Sequence, residues 1–213
     1  MSAHAHSMHA PSSLNRTAFM ATLHCLTGCA IGEVLGMIIG TALGWGNAAT
    51  IALAVTLAFL FGYSLTMLPL LRAGLALGVA LPLAFASDSL SIAVMELADN
   101  GIMLTVPGAM DAGLANPLFW GALGFALLVA FAFAYPLNRY LIARGQGHAV
   151  AHAYHGHGSA GHDEATSQGS PRAFVVIGLA AVAVTLVVTV GAAVLLEGSE
   201  EHSPTPTAHT SMS

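Results

Sequence analysis

The stretch from His24 to Gly40, HCLTGCAIGEVLGMIIG, is the main sequence signal for the fold. It lies in an apolar run, yet it carries an imidazole, two thiols and a carboxyl group where a membrane helix usually has leucine. Residues four apart in a helix lie on one slightly slanted row. One such row contains Cys25, Cys29, Glu33 and Met37. The stretch therefore predicts a membrane helix that carries a polar row.

A ridge of glycines with a period of four lies beside the polar row. Its members are Gly28, Gly32, Gly36, Gly40 and Gly44. Small residues at this spacing extend the GxxxG pattern, which lets a second helix approach closely. Tight packing there would also keep the polar row away from lipid, where a buried carboxylate costs several kcal/mol. We therefore expect the polar row to face protein or a wet cavity.

The composition of the chain favours a membrane environment. Of its 213 residues 56% are hydrophobic and only 7% are charged, whereas a soluble domain carries about 25% charged residues. The formal net charge is −5, and the five basic residues form no cluster that would bind nucleic acid. The predicted fold class is an all-α, polytopic helical membrane protein in a lipid bilayer.

Five segments approach the roughly 20 residues that cross a bilayer core. They are residues 18–44, 48–70, 74–97, 117–141 and 172–196. All five arginines then fall on one side of the membrane, so that the positive-inside rule predicts a cytoplasmic N-terminus and a C-terminus outside.

The segments between and beyond these spans predict the domain organisation. A His-rich disordered cytoplasmic tail covers residues 1–17, a four-helix membrane domain covers 18–144, and a His-rich cytoplasmic linker covers 145–171. A fifth transmembrane helix covers 172–197, and a disordered outer tail covers 198–213. The apolar stretch 101–116, broken by Pro107 and Gly108, is either an outer loop on the membrane or a re-entrant segment.

The polar row of the first span has the composition of a metal site. His24 adds an imidazole to its thiols, carboxyl and thioether, and soft sulfur ligands favour copper(I) or zinc. Two cysteines four apart on a helix are poorly placed for a disulfide. Two alternatives stay open: inert packing with polar contacts between helices, and thiol redox chemistry.

The third span supplies a second set of polar residues, in SDSLSIAVMELADNGIM at 87–103. Asp88, Met95 and Asp99 share one helix face, and Glu96 lies on a neighbouring face. An aspartate within a span is a functional-site hypothesis by default. Helix rise places Asp88 and Glu33 at similar depth, with the thiols further inside. An alternative for Glu96 and Asp99 is that both are solvated at a helix end.

Histidines are concentrated in the predicted cytoplasmic linker. His148, His152, His155 and His157 follow the fourth span, and flexible His-rich tracts commonly bind transition metals. Such a tract would exchange metal with a cytoplasmic carrier. The alternative is a polar linker that binds metals only incidentally.

Four motifs resemble a bacterial membrane family that is described only as domain of unknown function 4396. They are HCLTGCAIGE at 24–33, SDSLSIAVMELADN at 87–100, PGAMDAGL at 107–114 and RGQGHAVAH at 144–152. The resemblance extends over about residues 20–152. It implies a polytopic helical membrane fold and brings no established activity.

The leading functional hypothesis is an inner-membrane protein of a bacterial cell that binds and transports a soft or borderline transition metal. Copper(I) is the first candidate and zinc the second. The main alternative is a non-transporting assembly or metal-sensing subunit, and a membrane thiol oxidoreductase is the weaker one. We do not expect an enzyme, because both a cofactor-binding motif and a CxxC pair are absent from the sequence. Few spans carry ligands, so a homo-oligomer or a membrane partner is expected, with the glycine ridge as a possible interface.

Overall fold

A computed structural model of the chain describes residues 11–72, 74–144 and 171–201. These residues form five α-helices and no strand, which confirms the all-α prediction for this part of the chain. In chain order they are α1 (Pro11–Ala42), α2 (Asn47–Arg72), α3 (Leu77–Thr105), α4 (Pro117–Ala143) and α5 (Pro171–Glu201).

Four of these helices contain a stretch that is long and apolar enough to cross a membrane. The stretches are Leu14–Ala42, Asn47–Arg72, Pro117–Ala143 and Val175–Gly198. Helix α3 has 29 residues, about 43 Å at the α-helical rise. It carries three acids, Asp88, Glu96 and Asp99, within its apolar sequence. Four apolar helices beside this one are consistent with a multi-pass membrane protein.

Three helices extend beyond their predicted ends. Helix α1 begins at Pro11, so residues 11–17 are helical and not part of a disordered tail. Helix α5 continues to Glu201. Helix α3 runs past residue 97 to Thr105, and within this stretch Asn100 donates its side-chain amide to the Glu96 carbonyl at 2.9 Å. The rest of the predicted tails and linker lies outside the described residues.

Helix α4 begins as its sequence predicts. The Asn116 side chain accepts a hydrogen bond from the Leu118 amide at 2.9 Å, and Pro117 occupies the first helical position, where its missing N–H costs nothing. The preceding turns bury Ala109 and Ala112 among residues that include Met37 and Phe119. Residues 106–116 therefore cover one end of the helix bundle.

Helices α1 and α2 form an antiparallel hairpin whose contact surface is the glycine ridge. A Cβ atom added to Gly28 would lie 2.7 Å from the Gly62 Cα, and one added to Gly36 would lie 2.6 Å from the Ala54 Cβ. Gly32 and Gly40 meet α2 in the same way, at Ala58 and Thr50. Because α2 occupies the ridge, a homo-oligomer has to use another surface.

Gly44 differs from the four other glycines of the predicted ridge. It lies beyond the end of α1 with a φ of +65°, and a Cβ atom there would meet nothing within 4 Å. A positive φ favours glycine because other residues clash with their own backbone. Gly44 is therefore a turn residue and was wrongly assigned to helix packing.

The remaining helices pack around this hairpin. Helix α4 lies against α1 and α3, and α5 lies against α3 and α2. The Arg139 side chain donates to Asn15 at 2.7 Å, which places the end of α4 beside the start of α1. The Glu197 carboxyl accepts from the Asn47 amide at 2.9 Å, which places the end of α5 beside the start of α2. The arginines at the helix ends therefore gather at one end of the bundle.

Candidate functional site

Helices α1 and α3 bury four carboxyl groups between them. The exposed fractions of the four side chains are 2% for Glu33, 0% for Asp88, 1% for Glu96 and 3% for Asp99. All five arginines are exposed, so none of them lies among these acids. Burying an uncompensated charge is costly. The interior of the bundle therefore contains four carboxyl groups that no arginine neutralises.

At the end of the row nearest the arginines, a thiol meets an aspartate. The Cys25 sulfur lies 3.9 Å from the Asp88 Oδ1, as a weak hydrogen bond, and Ser91 lies beside the same thiol. The neighbouring Ser89 hydroxyl is hydrogen-bonded to Tyr63 of α2 at 2.9 Å. Asp88 is thus level with Cys25. The expected match in depth with Glu33 was wrong, because α1 begins earlier and α3 later than predicted.

Further along the row, the Glu96 carboxyl interacts with acids on both helices. The Glu96 carboxyl interacts electrostatically with those of Glu33 and Asp99, and the Cys29 thiol lies within hydrogen-bonding reach of it. The Asn100 amide also approaches Glu96, at 3.4 Å from Oε2. Glu96 and Asp99 are therefore interior side chains, and the alternative of solvated residues at a helix end was wrong.

Several oxygen atoms in this part of the row lack a hydrogen-bond partner within the described residues. They are the Glu33 Oε2, both carboxyl oxygens of Asp99 and the Asn100 Oδ1. Each unsatisfied buried polar group costs roughly 1–3 kcal/mol. In native folds such groups are usually compensated by an ordered water, an ion or a proton.

The sulfur atoms fall into two groups. Cys25, Cys29 and Met95 belong to one core cluster, which also contains residues of α2 and α4. Met37 belongs to a second cluster with Met103 and Phe119. The side chains of the row predicted on α1 therefore belong to two clusters. The thiols lie deeper in the bundle, and the thioether lies near the end that residues 106–116 cover.

The other predicted ligands are less informative. His24 lies on α1 beside Cys25 and is half-buried. His148, His152, His155 and His157 lie outside the described residues. Within the part of the chain that the structure describes, no group of three or more His, Cys, Asp and Glu side chains is arranged to hold a metal ion. The polar row brings ligands together in pairs and does not form a closed coordination shell.

Sequence reasoning places Ser91, Asn100 and Met103 near the acids of the third span but does not include them among the candidate site residues. Asn100 follows Glu96 by four residues and Met103 follows Asp99 by four. Residues at this spacing share a helix face. The structure buries all three side chains.

The comparison with known families accounts for the first four helices. Residues 14–147, more than half of the chain, match the family described as Domain of unknown function (DUF4396). The chain belongs to this family. The family domain contains α1 to α4 and hence the whole polar row, whereas α5 lies outside it. No curated protein and no solved structure matches the chain. The family description carries no activity and identifies no enzyme.

Proposed function

We propose that the protein crosses the inner membrane of a bacterial cell five times, with its N-terminus in the cytoplasm and its C-terminus outside. The proposal is supported by the arginines at one end of the bundle, since basic residues near membrane helices are retained on the cytoplasmic side. It is also supported by α3, whose acids point inward while Leu77, Val79, Leu90 and Leu97 are exposed. An outward face of this kind suits lipid.

Within this topology, the protein binds and transports a soft or borderline transition-metal cation along the row between α1 and α3. The observation that carries the proposal is the burial of two thiols and four carboxyl groups with no arginine among them. A cation bound in the row would compensate these acids. An arrangement of ligands in pairs suits ion transport, because a moving ion exchanges a few ligands at each step and does not need a closed coordination shell.

The two candidate metals would use different members of the row. Two thiols and a thioether, from Cys25, Cys29 and Met95, form a soft set that suits copper(I). The thiol and carboxyl pairs, Cys25 with Asp88 and Cys29 with Glu96, form a mixed set that suits zinc. Copper(I) remains the first candidate. A cytoplasmic metal carrier and the His-rich linker are its proposed partners.

Metal analysis of the purified protein tests the proposal. The full chain is loaded with copper(I) or zinc in detergent, and the bound metal is measured beside the double variant Cys25→Ser, Cys29→Ser. We expect the double variant to retain less than half of the metal that the unmodified protein binds. Thr27→Ser, an exposed change on the same helix, is the matched control and should bind as the unmodified protein does. Equal metal in all three proteins would overturn the proposal.

A non-transporting partner subunit is the second candidate, and it is favoured because no group of three or more His, Cys, Asp and Glu side chains among the described residues is arranged to hold a metal ion. Its polar row would serve only to join helices. In that case the cysteine variants would lower the thermal stability or the abundance of the protein and leave its metal content unchanged. The same preparation therefore separates the two functions, since melting temperature and metal content are measured on one sample.

A further inference from the structure

Three methionines from three different elements belong to one apolar cluster at the end of the bundle that lies away from the arginines. Met37 comes from α1, Met103 from α3 and Met110 from the turns before α4. Met37 and Met103 are almost fully buried, and Met110 is partly buried against the same cluster. We call these three residues the thioether cluster. Of the three, only Met37 belongs to the polar row of α1.

The thioether cluster adjoins the core cluster that contains the deeper sulfur atoms. Met110 packs against the cluster that contains Met37 and also against the one that contains Cys25, Cys29 and Met95. The two clusters that hold the buried sulfur atoms are therefore neighbours within the bundle.

The chemistry of the cluster selects one kind of ligand. A thioether is neutral, soft and only a weak acceptor, so it has little attraction for protons or hard cations. Zinc sites in proteins use thiolate, imidazole and carboxylate ligands, and none of the three side chains supplies one. A monovalent soft cation matches neutral sulfur ligands in an apolar surrounding.

We propose that Met37, Met103 and Met110 form a copper(I)-binding site at the entrance or exit of the row. This inference rests on the proposed function and deepens it, because it names copper(I) as the cargo and adds two ligands on α3 and the adjoining turns. Methionine also fills gaps in apolar cores. Leucine would fill the same space without a sulfur ligand, so methionine-to-leucine variants separate metal binding from packing.

The test compares the full chain with the triple variant Met37→Leu, Met103→Leu, Met110→Leu. Leucine for methionine conserves volume and usually costs less than about 1.5 kcal/mol, so a melting curve verifies that the variant folds. Silver(I), the redox-inert analogue of copper(I), is titrated into purified protein in detergent. We expect the triple variant to bind silver(I) about tenfold more weakly or worse, with zinc binding unchanged. Met20→Leu, an exposed change on α1, is the matched control.

A second measurement needs no variant that might alter the fold of the chain. With methyl-labelled methionine, silver(I) should shift the resonances of the thioether cluster and leave that of Met20 in place. Unshifted cluster resonances, or equal silver(I) binding in the triple variant, would overturn the inference. If the double cysteine variant alone loses metal, the proposed function survives and this inference fails. If the double cysteine variant keeps its metal and the triple variant loses silver(I), the thioether site is supported and the proposed role of the thiols is refuted.

Discussion

Glu33 lies in the middle of α1, and it faces two other carboxyl groups. Its side chain is 2% exposed, its Oε2 has no hydrogen-bond partner within the described residues, and both Glu96 and Asp99 interact with it electrostatically. In a low-dielectric interior such like charges repel strongly. A charged Glu33 side chain is therefore costly to the fold unless a proton or a cation compensates it.

We expect Glu33→Gln to keep or raise the stability of the metal-free protein. Glutamine has nearly the same shape and removes one potential charge from the cluster, so a gain on the order of 1 kcal/mol is expected. The apparent melting temperature in detergent should be equal to or above that of the unmodified protein, while zinc binding weakens. Asp111→Asn, which neutralises an exposed acid outside the row, should change neither quantity. A lower melting temperature with unchanged zinc binding would show that Glu33 serves the packing of the helices.

The period of four on α1 was sufficient to predict which of its side chains face inward. Cys25, Cys29 and Glu33 are all buried, as the row beside the glycine ridge requires. The relative depth of residues on different helices could not be predicted in the same way. It depends on where each helix begins, and both α1 and α3 begin several residues away from the predicted ends.

At the scale of the elements, the α1–α2 hairpin fixes the position of the row. The glycines of α1 bring the two backbones so close that α2 covers one side of the helix, and the adjacent row is then directed toward α3 and α4. Gly28 and Gly32 cannot be replaced without moving the partner helix, because the added atom would meet backbone and not a flexible side chain.

We expect Gly32→Ala to destabilise the protein by about 1–3 kcal/mol, the usual cost of overpacking. The added Cβ would meet the backbone of Ala58. Gly124→Ala on α4 is the matched control, because its Cβ would meet nothing within 4 Å and alanine favours a helix. Melting curves in detergent should separate the two variants clearly. Equal stability of the two variants would mean that α1 and α2 pack less tightly than the structure shows.

The end of α3 illustrates what local sequence could not predict. The run from Glu96 to Asn100 contains three polar residues and resembles the end of a membrane span. In the bundle the same residues are buried against α1, and Asn100 bonds to the preceding turn. Tertiary packing therefore decides the length of this helix, and no single-helix pattern carries that information.

At the scale of the whole molecule, α3 decides the topology of the chain. If all five helices cross the membrane, Arg144 lies in the cytoplasm and Glu201 outside. If α3 does not cross, the later helices invert, with Arg144 outside and Glu201 in the cytoplasm. The outward face of α3 is apolar and its acids are buried against α1. Crossing therefore exposes no carboxyl group to lipid.

Reporter fusions distinguish the two topologies. Alkaline phosphatase, which is active only outside the cytoplasm, should be inactive when it is fused after Arg144 and active when it is fused after Glu201. A fluorescent protein that folds in the cytoplasm should give the opposite pattern at the same two positions. The expectation follows from the arginines, since Arg139 and Arg144 would violate the positive-inside rule if α3 stayed on one side. Active phosphatase after Arg144 would exclude five crossings and would leave the polar row without a path through the membrane.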